Sequence, residues 1–197
     1  RKLLVSALAK SGQAQRAFEV LEPGLKQAPG DASLLVLAGD VALQDNNLAR
    51  SAQFYEQAAK LDPGRPGART GLALSRLAAG QTDQALADLE TAVQLGSASY
   101  QADVMLVISN LQRGRHDAAF KALQALEKKQ PKNPLTHNLK ALIYLDKKDA
   151  VAARNSFERA LELDSVYLPA VRNLAQLDLA AKNPQAARRR FEVILQQ

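Results

Sequence analysis

An all-α fold, an array of about six helix–turn–helix units stacked as an α-solenoid, is the class this sequence predicts, and three observations predict it. Six small residues, Ala17, Ser51, Ala85, Ala119, Ala153 and Ala187, recur at a step of 34 residues. A larger set, Leu21, Tyr55, Leu89, Leu123, Phe157 and Phe191, follows each of them four residues later, one helical turn away. A short or branched set, Val5, Gly39, Ala73, Val107, Ala141 and Ala175, precedes each by twelve residues, where two helices can approach closely. A period kept across six copies without insertion is the signature of a stacked array, which needs about three units to be stable.

The elements follow in order from local signals. Gly12, Asn46, Gly80 and Gly114 fall where the first helix of a unit ends, residues that accept a left-handed backbone at least cost. Pro29, Pro63 and Pro131 mark the longer turns between units. Asn133 before Pro134, and Asn183 before Pro184, each pair a capping side chain with a proline at the first helical position. Leu, Ala, Glu, Lys and Gln fill the stretches between, and no segment alternates with period two, so helices are expected throughout. Pro23 and Gly24 interrupt the second helix of the first unit and predict a kink there. The expected array is a single domain over residues 1–197, with units at 1–31 (partial), 32–65, 66–99, 100–133, 134–167 and 168–197 (partial). Incomplete first and last units point to a segment of a longer protein whose targeting signals and any enzymatic domain lie outside it.

Composition narrows the class further. Of 197 residues, 47% are hydrophobic and 23% charged, which sets the chain apart from disordered sequences. No apolar run is long enough to span a bilayer. With no cysteine, disulfides, thiolate catalysis and sulfur-ligated zinc are excluded, and the redox compartment stays open.

The 34-residue pattern resembles the tetratricopeptide repeat. Unit 134–167 places Ala141, Tyr144, Ala153, Phe157 and Ala160 on that family's positions, with Ser165 in place of its proline and Lys140 in place of its leucine. Unit 32–65 matches at Gly39, Tyr55, Ala58 and Pro63, with Ala42 for the tyrosine and Ser51 for the alanine. The resemblance implies a right-handed superhelix whose first helices line a concave surface. A narrower resemblance lies in the last two units, NLKALIYLDKKDAVAARNSFERALELDSVYLPAVRNLAQLDLAAKNPQAARRRFEVIL. They are similar to long tetratricopeptide lipoproteins encoded with bacterial exosortase (PEP-CTERM) and exopolysaccharide systems. That similarity implies a cell-envelope protein on the periplasmic side, lipid-anchored in full length; a cytoplasmic location is the alternative.

On the implied concave face the candidate peptide-binding residues are Val36, Asp40, Leu43, Thr70, Leu74, Leu77, Val104, Ile108, Leu111, Asn138, Leu142, Leu145, Arg172 and Gln176. Leu43, Leu77, Leu111, Leu145 and Leu179 form one ladder, readable either as core between first helices or as groove surface. Leu74, Ile108 and Leu142 form a second, with the stronger expectation of exposure. Polar residues flank the stripe, Asp40 and Gln44 at one end, Arg172 and Gln176 at the other, a pattern that suits an amphipathic helix or extended peptide. The family's lysine, arginine and asparagine clamp for chaperone carboxylate tails is missing: Thr70, Leu74, Val104 and Ile108 hold the corresponding positions.

Other chemistries find less support. The net charge of +6 gathers in Arg188, Arg189 and Arg190 and in Lys128, Lys129 and Lys132, interleaved with Glu127, Glu158, Glu162 and Glu192 as on a solvated helix face. Aromatic residues are 5% of the chain, and Tyr55, Phe157 and Phe191 are assigned to packing, so nucleic acid is a poor fit. His116, expected in an inter-helix turn, and His137 stand apart from any nucleophile or ligand cluster, and no phosphate loop, GxSxG or HExxH occurs. The expectation is a non-catalytic scaffold with no cofactor and no metal site, holding a peptide or helix of a protein partner. Its setting is an envelope system for exopolysaccharide export or protein sorting. The alternatives are an envelope component that contacts an anionic or polysaccharide polymer through its basic surface, and end-to-end pairing as a homodimer.

Overall fold

A computed structural model describes residues 2–96 and 100–195. Those residues form twelve helices and no strand. The chain divides into two compact units, Arg1–Ala102 and Asp103–Gln197.

The first unit contains α1 (Lys2–Lys10), α2 (Ala14–Gln27), α3 (Ala32–Gln44), α4 (Leu48–Leu61), α5 (Pro66–Ala78) and α6 (Thr82–Gln94). Val5, Ala17 and Leu21 bury against Ala38 and Val41 in one cluster, and Leu35, Ala58 and Ala68 meet in another. Gly39 and Ser51 lie at the crossing of α3 and α4, where the Ser51 hydroxyl reaches the Gly39 carbonyl at 2.9 Å and the Ser75 hydroxyl at 2.8 Å. Buried hydroxyls are tolerated there because each has a partner. α2 runs unbroken through Pro23, so the interruption expected at that point does not divide the helix.

The second unit follows from α7 (Gln101–Gln112), whose first two residues belong to the first unit, through α8 (His116–Lys129), α9 (Pro134–Asp146), α10 (Ala150–Leu163), α11 (Leu168–Ala180) and α12 (Pro184–Leu195). Val107, Ala119, Leu123 and Ile143 make one cluster; Ala141, Ala153, Phe157 and Leu174 make the next. His116 is the first residue of α8, a position read from the sequence as a turn.

The two helices within each pair meet through the small and large ladders, which are buried with one exception. Phe191 of α12, expected in packing, is 40% exposed. Asn133 caps α9 by accepting from the Leu135 amide at 3.0 Å, and Asn183 caps α12 by accepting from the Ala186 amide at 3.0 Å.

Candidate functional site

The first unit holds a cavity of about 380 Å³ on the side where its first helices converge. Ser6 and Lys10 of α1, Val36, Asp40, Leu43 and Gln44 of α3, and Gly67, Thr70, Gly71 and Leu74 of α5 contribute to its wall, with Tyr55 of α4 at the back. Helical spacing explains the set: residues three, four and seven apart share one helix face, which is how Val36, Asp40 and Leu43, and Gly67, Gly71 and Leu74, come to line one space.

Asp40 and Tyr55 form its polar corner. The Tyr55 hydroxyl donates to Oδ1 of Asp40. Tyr55 is buried, and burial first, then the negative charge and hydrogen bond of Asp40, push its phenol far above the ordinary range, so it remains a donor. Asp40 is exposed by area, yet burial of its carboxyl raises its pKa more than the Tyr55 hydrogen bond lowers it. The Thr70 hydroxyl is committed to the Pro66 carbonyl at 2.9 Å.

Of the candidate peptide-binding residues named from the sequence, Val36, Asp40, Leu43, Thr70 and Leu74 line this cavity, and so does Gln44, read as a polar end of the stripe. Leu77, also in the first unit, is half-buried outside it. In the second unit, Val104, Leu111 and Leu142 are half-buried against the Val107 cluster, and Leu142 and Leu145 against the Phe157 cluster. The leucine ladder is therefore divided between core contact and surface, except at Leu179, which is exposed, and Leu142 is less open than expected. Ile108 is exposed. Asn138 is buried and accepts from the Asn173 amide at 3.4 Å, while Arg172 and Gln176 are exposed on α11.

Sequence reasoning missed Tyr55 as a site residue, together with the glycines that admit its ring. A Cβ at Gly71 would stand 2.2 Å from the Tyr55 ring, and one at Gly39 would stand 2.8 Å away. The available signal was tyrosine at a packing position opposite glycine in place of alanine.

Three buried carboxylates were also missed. Asp88 meets Arg69 at 3.2 Å and pairs with Arg76. Asp103 meets Lys129 at 2.7 Å. Asp178 meets Arg154 at 2.6 Å and pairs with Arg190. At Asp178 burial raises the pKa, and the hydrogen bonds and charges of Arg190 and Arg154 together overcome it, holding the carboxyl below its usual range. Lys129 and Arg190, counted in the basic clusters, thus spend their charge inside the second unit. Among the described residues no three His, Asp or Glu side chains gather as a metal site, and no helix is long and apolar enough to cross a membrane.

Known proteins of similar sequence and structure agree with this architecture. The tetratricopeptide repeat family model matches residues 3–66, 70–134 and 104–167. Anaphase-promoting complex subunit cut9 of Schizosaccharomyces pombe is 24% identical over 161 residues, covering 82% of this chain and 24% of its own length. The chain thus spans about a quarter of that relative. The crystal structure of the Cut9–Hcn1 hetero-tetramer aligns with a TM-score of 0.74 at 22% identity, over 97% of this chain and 38% of the other. YrrB, described as a tetratricopeptide repeat protein with an unusual peptide-binding site, aligns with a TM-score of 0.67 at 17% identity, over 85% of this chain and 86% of its own. The crystal structure of MamA aligns with a TM-score of 0.72 at 19% identity, over 82% and 94%. With its helix pairs, its 34-residue ladders and the family match over most of its length, the chain belongs to the tetratricopeptide repeat family.

Proposed function

We propose that this chain is a non-catalytic scaffold for protein–protein interaction that holds an extended or helical peptide of its partner in the cavity of the first unit. The observation that carries this reading is the cavity itself, where Val36, Leu43 and Leu74 give apolar wall beside the polar side chains of Asp40, Tyr55, Lys10 and Gln44. Such a mixture gives affinity from apolar area and orientation from a few polar groups. A pull-down with wild type and Leu74→Gln, after circular dichroism shows equal helicity, tests it. Loss of a partner that resists high salt is the expected result; equal capture by both proteins overturns the groove reading.

Binding of an anionic polymer is less well supported, because Arg154, Arg190 and Lys129 are engaged by buried aspartates. An envelope setting on the periplasmic side, in exopolysaccharide export or protein sorting, rests on the wording of residues 138–195 alone. Fractionation of cells with protease accessibility tests it. Side chains left open on the outer helices, Leu3 at 88% and Leu195 at 84% exposure, support end-to-end pairing. Mass that rises with concentration in sedimentation would bear it out.

A further inference from the structure

The buried carboxylates of this protein carry their own cations, whereas Asp40, exposed at the wall of the cavity, does not. Asp88, Asp103 and Asp178 each have a lysine or arginine within 3.2 Å. Asp40 has the Tyr55 hydroxyl on Oδ1, and among the described residues no lysine or arginine pairs with it. Lys10 lines the same cavity from α1 without forming an ion pair with Asp40. Asp40 thus presents an unpaired carboxylate at the rim of a partly enclosed cavity, where a cation that enters and displaces water gains an interaction stronger than it would have in bulk solvent.

The surroundings fit such a guest. Val36 and Leu74 offer apolar wall for the methylene stem of a long side chain, whose charged head then reaches the carboxylate. Tyr55 fixes Oδ1 and leaves Oδ2 to accept a charge-assisted hydrogen bond. Building on the groove reading above, we infer that the Asp40–Tyr55 corner receives a cationic side chain, lysine or arginine, from a partner peptide whose apolar neighbours rest on Val36 and Leu74.

The test is selection of a random peptide library displayed on phage against wild type, followed by calorimetry of the selected peptides on wild type, Asp40→Asn and Leu74→Gln. The amide keeps an acceptor for the Tyr55 hydroxyl, and circular dichroism verifies the fold of each variant. The expected peptides contain lysine or arginine and bind Asp40→Asn about tenfold more weakly or worse. Changing that basic residue to norleucine weakens binding to wild type by a similar factor and leaves binding to Asp40→Asn unchanged. Peptides that need Leu74 but bind wild type and Asp40→Asn equally overturn the cation inference and leave the groove standing. A selection with no binder, or with binders indifferent to both substitutions, removes the groove and this inference together.

Discussion

Tyr55 occupies a position that other units fill with leucine or phenylalanine, and its ring fits because two residues facing it have no side chain. Gly39 belongs to the short or branched ladder and was legible as a close approach; Gly71 lies off that ladder, and nothing in the period marks it. Gly71→Ala drives a methyl into the ring and is expected to cost at least about 1–3 kcal/mol, read as a fall in the denaturation midpoint. Combining it with Tyr55→Leu should recover much of that loss, and strict additivity would show that the ring is not the obstacle. Asp40 gives a second prediction with an unusual sign. Because its folded pKa is raised, the folded state holds the proton longer than the unfolded chain, so ionisation destabilises the fold as pH rises through the two values. Asp40→Asn should therefore be more stable than wild type at pH 7, with the difference vanishing in acid where both side chains are neutral. Denaturation at the two pH values checks it, and lower stability of the variant at pH 7 would refute it.

The helix ends show how far local chemistry reaches. Each first helix ends in the same motif, with an amide returning to the carbonyl five residues earlier at 2.8–2.9 Å, from Gln13 to Leu8 through Asn183 to Asp178. The residue before that donor is left-handed in every copy: Gly12, Asn46, Gly80 and Gly114, and then Lys148 and Lys182 with φ of 64° and 58°. The first four were evident from residue type. The two lysines were not, since the tight turn that folds the second helix of the pair back on the first requires this backbone against the preference of the side chain. A lysine in this conformation costs on the order of 1 kcal/mol, so Lys148→Gly should raise stability by about that amount, less the extra freedom glycine gives the unfolded chain. A thermal melt checks the direction, and Gly80→Ala should move it the opposite way. At Pro23 the reverse holds: a residue that disfavours helix is carried inside α2, whose face packs through Ala17 and Leu21.

At the scale of the molecule, the buried Asp178 with its two arginines contributes to behaviour in acid. Asp178 has a folded pKa below its unfolded value, so its stabilising effect is fully present above the unfolded carboxylate range and is lost as pH falls through the folded value. Arg190→Gln removes one of the two cations that lower that pKa. The variant should lose stability at neutral pH and show a shallower decline between pH 5 and acid, since less remains to be titrated. Denaturant midpoints measured across that range decide it; parallel curves for variant and wild type would mean that the pair carries no part of the acid transition. His137 acts in the same direction at higher pH, because burial lowers its pKa and keeps the neutral ring favoured in the fold.

The sequence by itself determined the helical class, the 34-residue step, most helix ends and the small residues at which helices meet, because these depend on contacts within a turn or two of chain. It also named six residues of the cavity, since a periodic array repeats each position on the same helix face. Tertiary structure alone decided which charges are spent and which stay open. Arg154, Asp178 and Arg190 lie on α10, α11 and α12, and Asp40 and Tyr55 on α3 and α4. Helical spacing predicts neighbours three or four residues apart, while partners 12, 15 or 24 residues apart are fixed by how one helix is seated on the next. That seating gives Asp178 two arginines and Asp40 a phenol, and so separates a structural carboxylate from one that remains available to a partner.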